Sequence, residues 1–245
     1  MLCSGGGHEV GGKPHCGTTG YFYASAFDND NYSVYGINTT QAIYSQTICG
    51  ASAVVDFVTV YFSQTCFAPN GVLTYAELSI GYFQGAAAVT GQMVSSPHYY
   101  YDEFTPTGSG PYSACHYSFS DLSKSSFAPV VGSQVSFQMQ ALGTDSNKWS
   151  LSIVGDGHSI SFTNIAAAQS HGWTAGATME SHDDKNTGTA QFSSLADFAS
   201  PPRTCPSSWF PWSSSYTQRL PNDAANPYQV QQDSANSFNM WTGAT

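Results

Sequence analysis

Residues 134–142, with the sequence QVSFQMQAL, carry the clearest strand pattern of the chain. From 134 to 141 the apolar residues alternate with glutamine and serine, which places these apolar side chains on one face of a β-strand. The alternation resumes at 149–153 (WSLSI), and after the tight-turn sequence GDG at 155–157 it continues at 160–162. The pattern predicts adjacent antiparallel strands with one face on a core, the inward side chains of the first being Val135, Phe137 and Met139.

The whole sequence predicts an all-β protein with a single sandwich or barrel domain at 20–199. Helical periodicity is almost absent, and short strand-like segments recur between turn signals. A Gly-rich segment, 1–19, precedes the domain. The segment 200–245 is rich in Pro, Ser, Asn and Gln with interleaved Trp, and we expect it to form an irregular wrap. The further strands are predicted at 20–26, 33–45, 53–63, 73–84, 98–104, 113–119, 174–182 and 189–198.

The composition limits the partners of this acidic protein. Only 9% of its 245 residues are charged, the six Lys and Arg are outnumbered by 16 Asp and Glu, and the formal net charge is −10. Binding to a nucleic acid backbone needs clustered Lys and Arg, so we expect no nucleic acid partner. No apolar run reaches the roughly 18–20 residues that span a bilayer, so no membrane partner is expected either.

Six cysteines stand at 3, 16, 49, 66, 115 and 205. Their even number, wide spacing and lack of any CxxC or Cys/His metal spacing are typical of disulfides formed in an oxidising compartment. Six cysteines allow 15 pairings, and the sequence does not choose among them. We therefore expect a secreted monomer with three disulfides. No metal site and no cofactor are expected, since no nucleotide-binding or metal-binding motif occurs.

Glutamate is rare, and this draws attention to its positions. Of four in the chain, Glu9 lies in the Gly-rich start, whereas Glu77, Glu103 and Glu180 lie inside predicted strands. Each one alone is best explained as facing water on the open side of a sheet. Three carboxylates on strands of a weakly charged protein favour a functional site.

The order and spacing of segments between Tyr35 and Phe198 resemble those of the glutamic peptidases, in both the eqolisin and the neprosin-type families. The resemblance covers about two thirds of the chain and is spread over short pieces. The pieces are YGINTT at 35–40, LSIGYF at 78–83, HYYYDEF at 98–104, VGSQV at 131–135, AGATME at 175–180 and LADF at 195–198.

The resemblance implies a concanavalin-A-like jelly roll, a sandwich of two curved antiparallel sheets with the catalytic pair on the concave sheet. Glu180 matches the family's catalytic Glu, the general base towards water. The second position, Gln or Glu in the family, falls on Ser79, which departs from the pattern. Glu77 lies two residues earlier and therefore shares a strand face with Ser79, so either residue is a candidate partner.

The function that this resemblance implies is a secreted acid hydrolase resembling glutamic endopeptidases, acting on polypeptide. A second interpretation is a non-catalytic protein that binds glycans or other polymers on aromatic rings. A third is a glycoside hydrolase or lyase on the same fold, which needs two carboxylates from among Glu77, Glu103 and Glu180. The candidate substrate-binding residues, for polypeptide or polysaccharide, are Tyr82, Tyr99, Tyr101, Glu103 and Trp173.

Overall fold

The computed structural model describes residues 17, 19–28, 33–68, 71–108, 110, 113–123, 127–200, 208–213, 217–220 and 228–242. These residues are mostly in β-strands and include no helix, and hence none long and apolar enough to cross a membrane. Almost all of the Gly-rich segment 1–19 lies outside the described residues, as do Cys3, Cys16 and Cys205.

The described strands form two antiparallel sheets packed as a sandwich, which confirms the predicted fold class. The seven-stranded sheet contains, in spatial order, β13 (Thr217–Leu220), β1 (Thr19–Asp28), β10 (Thr174–Asp183), β3 (Ala53–Phe67), β4 (Leu73–Ala86), β5 (Met93–Pro106) and β6 (Cys115–Asp121). The eight-stranded sheet contains, in spatial order, β14 (Gln229–Ser234), β15 (Ser237–Thr242), β11 (Gly188–Ser200), β2 (Ser33–Ala42), β7 (Gln134–Ala141), β8 (Lys148–Gly155) and β9 (His158–Ala166). Its eighth strand, β12 (Ser208–Pro211), pairs with β11 outside this order.

The core lies between the sheets, and the stretch 134–141 contributes to it as predicted. Val135, Phe137 and Met139 of β7 are fully buried, whereas the alternating Gln and Ser residues are more accessible. The ring of Phe137 meets that of Tyr99 from the opposite sheet edge-on, with centroids 5.9 Å apart. Burying side chains of this size stabilises the fold by about 1.5–3 kcal/mol each.

The C-terminal segment is more regular than the expected irregular wrap. Its described residues contribute β12, β14 and β15 to the second sheet and β13 to the edge of the first. In β15, Phe238 and Met240 are fully buried and alternate with more accessible residues. The alternation covers only two apolar residues in a polar context, and β14 (QVQQDS) has a single one, so tertiary pairing rather than local pattern makes these segments strands.

A disulfide joins Cys66, near the end of β3, to Cys115 at the start of β6, closing a sequence separation of 49 residues. Cys49 is also disulfide-bonded. The expectation of disulfides is therefore confirmed for these cysteines. The pairing also fixes one of the choices that the sequence left open.

Candidate active site

One face of the seven-stranded sheet packs on the core, and the other, here called the outer face, points away from the second sheet. The assignment follows from strand alternation: Leu78 and Ile80 of β4 are fully buried in the core, so Glu77 and Ser79 belong to the outer face. By the same rule, β10 gives this face Thr178, Glu180 and His182, β5 gives it Tyr100, Asp102 and Phe104, and β6 gives it Tyr117 and Phe119.

A cleft of about 600 Å³ opens on the outer face. Its polar lining includes Glu180, His182, Asp102 and Tyr117, which come from β10, β5 and β6. Its apolar walls are formed mainly by aromatic side chains with a few small residues between them. A cleft of this size with a few converging polar groups is the usual form of a small-molecule or peptide site. The aromatic walls are Phe57, Phe83, Tyr100, Phe104 and Phe119.

Glu180 lies near the middle of β10, where its neighbours across the strands are Tyr23 of β1 and Val55 of β3. Its side chain is 25% exposed, and Oε1 is 2.9 Å from Nε2 of His182. The two residues are two positions apart on one strand and therefore point to the same face. Glu180 is thus an accessible carboxylate held in a defined orientation.

Asp102 is the second carboxylate of the cleft. It lies in β5 directly opposite Ser79 of β4, and the Tyr117 hydroxyl donates a hydrogen bond of 3.2 Å to its Oδ2. Its Oδ1 is buried and has no hydrogen-bond partner among the described residues. Burial raises the pKa of Asp102 to about 7, the hydrogen bond from Tyr117 works against this, and the negative charge of Glu180 raises the pKa further.

Glu77 and Ser79 lie on the outer face but are not among the residues that line the cleft. Burial raises the pKa of Glu77 well above its ordinary value, and the charges of Asp102 and Glu180 raise it further. The Ser79 hydroxyl is buried and donates to Thr59 Oγ1 at 3.0 Å, while the Thr59 hydroxyl donates to the Leu78 carbonyl at 3.2 Å. The proton of Ser79 is therefore already engaged within the sheet.

Four of the five predicted substrate-binding residues lie on the face opposite the cleft. Tyr82 and Tyr99 are buried in the core, and the ring of Tyr101 packs against Phe162 of the second sheet at 5.8 Å. Glu103 pairs with Leu78 on the inward face, where burial raises its pKa and the charges of His116 and Lys148 lower it.

Trp173 is exposed but does not line the cleft. Its ring contacts that of Tyr75, with centroids 5.3 Å apart, and each residue is nearly half exposed. The two rings form a separate aromatic surface.

Sequence reasoning missed Asp102 because β5 carries aromatic residues on both faces. In the segment HYYYDEF, apolar and polar residues do not alternate, so the sequence does not show which of Asp102 and Glu103 faces the core. An error of one residue in register moves every side chain to the opposite face. The one available signal was an aspartate inside a predicted strand. Among the described residues, no group of three or more His, Cys, Asp or Glu is arranged to hold a metal ion.

The fold is similar to solved structures of glutamic peptidases. Scytalido-glutamic peptidase with a transition-state analogue inhibitor matches with a TM-score of 0.55 and 12% identity, over 91% of this chain and 98% of that one. SCP-B, a member of the eqolisin family of peptidases, in a complex with the tripeptide Ala-Ile-His, matches with a TM-score of 0.52 and 11% identity over the same shares. No protein-family model and no curated protein matches the chain. The likeness establishes the sandwich fold and agrees with the resemblance read from the sequence.

Proposed function

We propose that this protein is an acid hydrolase of glutamic-peptidase type that cleaves polypeptides outside the cell, acting as a monomer with Glu180 as general base. The observation that carries the proposal is the position of Glu180, the residue that matches the family's catalytic Glu, in a cleft that also holds a second carboxylate. The sandwich shared with two peptidases, one of them bound to a tripeptide, supports the choice of polypeptide as substrate.

In the proposed reaction, Glu180 removes a proton from a water molecule while the water oxygen attacks the carbonyl carbon of the scissile peptide bond. A second group supplies a proton to the carbonyl oxygen, giving a tetrahedral intermediate. Glu180 then transfers its proton to the amide nitrogen, and the C–N bond breaks to release an amine and a carboxylic acid. The contact with His182 holds the Glu180 carboxylate in place for these transfers.

Acidic conditions suit such a site. Neighbouring carboxylates repel one another when ionised, so a group of this kind keeps at least one proton at low pH. Burial and the charge of Glu180 already favour the protonated form of Asp102. We therefore expect cleavage to be fastest below neutral pH.

The test is cleavage of an unfolded protein between about pH 2 and 7, followed by gel electrophoresis and mass spectrometry of the products. Glu180→Gln removes the general base and keeps the shape, so it should lower the rate by at least about 10²–10⁴-fold. The matched control is Glu103→Gln, because Glu103 faces away from the cleft and its loss should leave cleavage nearly unchanged.

Absence of cleavage by the wild-type protein over the whole pH range would contradict the proposal. It would instead favour polymer or polysaccharide binding, for which the exposed surface of Tyr75 and Trp173 is the place to begin.

A further inference from the structure

The second group of a glutamic peptidase, Gln or Glu, polarises the scissile carbonyl and stabilises the oxyanion, and Ser79 is poorly suited to that role. Its hydroxyl is buried, and its proton is shared with Thr59 Oγ1 at 3.0 Å. A serine hydroxyl is also far too weak an acid to protonate a carbonyl oxygen at low pH. Ser79 therefore supplies no acid to the reaction.

We propose that Asp102 is the second catalytic residue of this site, its protonated carboxyl giving a proton to the scissile carbonyl oxygen, with Tyr117 as its positioning residue. This inference rests on the proposed peptidase function. It places the second catalytic group on β5, next to the strand that carries the family's second position.

The β4–β5 pairing places Asp102 directly beside Ser79. The two residues are direct cross-strand partners on the outer face, and the side chains of such pairs start about 4.5–5.5 Å apart at Cβ. An aspartate on β5 can thus extend over the short Ser79 side chain. Asp102 lines the cleft together with Glu180, which Ser79 does not.

The hydrogen bonds of Asp102 fit a carboxyl that donates to a ligand. Tyr117 occupies Oδ2 with a bond of 3.2 Å and so restricts rotation of the carboxyl group. Oδ1 is buried without a partner among the described residues. A buried polar atom without a partner is unfavourable, and Oδ1 gains a partner when it carries the proton and a small rotation turns it to a substrate carbonyl oxygen in the cleft.

The two carboxylates of the cleft differ in environment, as the division into an acid and a base requires. Burial is the main cause that holds the pKa of Asp102 near 7, and the charge of Glu180 raises it further. Asp102 therefore stays protonated throughout the acid range. Glu180, by contrast, is partly exposed to water, and its Oε1 is 2.9 Å from Nε2 of His182.

Glu77 also favours its protonated form, but it is placed differently. It does not line the cleft, and the charge of Asp102 is, after burial, the largest cause that raises its pKa. Glu77 is therefore a less suitable acid than Asp102, because a substrate in the cleft does not meet it.

The proposed proton transfers are balanced. As the water oxygen bonds to the carbonyl carbon, the proton of Asp102 moves to the carbonyl oxygen and leaves Asp102 as a carboxylate. When the C–N bond breaks and the C=O bond re-forms, that hydroxyl returns its proton to Asp102. The net reaction is peptide plus water to acid plus amine.

The test compares kcat, KM and the pH profile of four variants with those of the wild type. Asp102→Asn should lower kcat by about 10²–10⁴-fold with little change in KM, because the proton is needed only as the carbonyl oxygen gains charge. Ser79→Ala should lower kcat by less than about tenfold. Glu180→Gln reports on the base, and Glu103→Gln is the matched carboxylate on the opposite face.

Tyr117→Phe tests the positioning role of Tyr117 through the pH profile of kcat, which would not shift if Tyr117 only supported the fold. The Tyr117 hydrogen bond lowers the pKa of Asp102, so its removal should raise that pKa and move the alkaline limb of the kcat profile to higher pH. This variant also keeps the inference testable if Asp102→Asn does not fold, which circular dichroism will show.

Two outcomes separate the inference from the function on which it rests. If Glu180→Gln abolishes cleavage while Asp102→Asn keeps the wild-type kcat and pH profile, Asp102 is not the acid and the peptidase function stands. An unchanged alkaline limb in Tyr117→Phe would overturn the inference in the same way. If the wild type cleaves nothing, both are overturned.

Discussion

Replacing Asp56 with asparagine should make the protein more stable than the wild type at neutral pH, although the residue is buried and hydrogen-bonded. Asp56 lies in β3 on the core side of the sheet and is 1% exposed. Its Oδ2 accepts a hydrogen bond of 2.8 Å from Gln46 Nε2, and its Oδ1 has no partner among the described residues. Burial raises the pKa of Asp56 from 3.8 to about 7, against the lowering effect of hydrogen bonds from Tyr82 and Gln46.

The sign and size of the effect follow from proton linkage. Between about pH 4 and 7 the unfolded chain has released the Asp56 proton and the folded protein has kept it, so the free energy of unfolding falls as the pH rises. At about 1.36 kcal/mol per pH unit, the change amounts to about 4 kcal/mol. This stability is fully present below the unfolded pKa of 3.8 and is lost as the pH rises through about 7. Asparagine does not titrate, so the free energy of unfolding of Asp56→Asn does not fall over this range for this reason.

The measurement is urea unfolding followed by tryptophan fluorescence at intervals from pH 3.5 to 8. Asp56→Asn and the wild type should agree within about 1–2 kcal/mol at pH 3.5, the scale of one altered hydrogen bond. At pH 8 the variant should be more stable by up to about 4 kcal/mol. Asp145→Asn is the control, since the exposed Asp145 side chain lies in water in both the folded and the unfolded state. If the difference between Asp56→Asn and the wild type does not depend on pH, the reasoning is refuted.

Two further expectations concern the core and the disulfides. Phe137→Ala should lower the free energy of unfolding by about 3–5 kcal/mol, because it leaves a cavity at a fully buried site. Truncation of the exposed Phe210 is the control and should cost less than about 0.5 kcal/mol. A loss below ~1 kcal/mol for Phe137→Ala would contradict the core assignment. Thiol titration of the denatured, unreduced protein should detect no free sulfhydryl, because the even number of cysteines and the Cys66–Cys115 bridge indicate complete pairing; six free thiols would exclude it.

The sequence by itself determined the strands whose two faces differ in chemistry. In residues 134–141 the alternation is complete, so both the strand and its buried face could be predicted, and Val135, Phe137 and Met139 are buried as expected. The same local rule put Glu77 and Ser79 on one face, because side chains two apart on a strand always point the same way. The even number of cysteines likewise indicated disulfides but no particular pairing.

Only the tertiary structure decided what lies opposite those side chains. Which face of β5 turns outward depends on its register with β4, and that register sets Asp102 rather than Glu103 beside Ser79. Where every position of a strand can be buried or aromatic, the sequence carries no alternation and the register cannot be read locally. Cross-strand neighbours are fixed by hydrogen bonds between segments distant in the chain, and for this reason the second carboxylate of the cleft became visible only in the folded sheet.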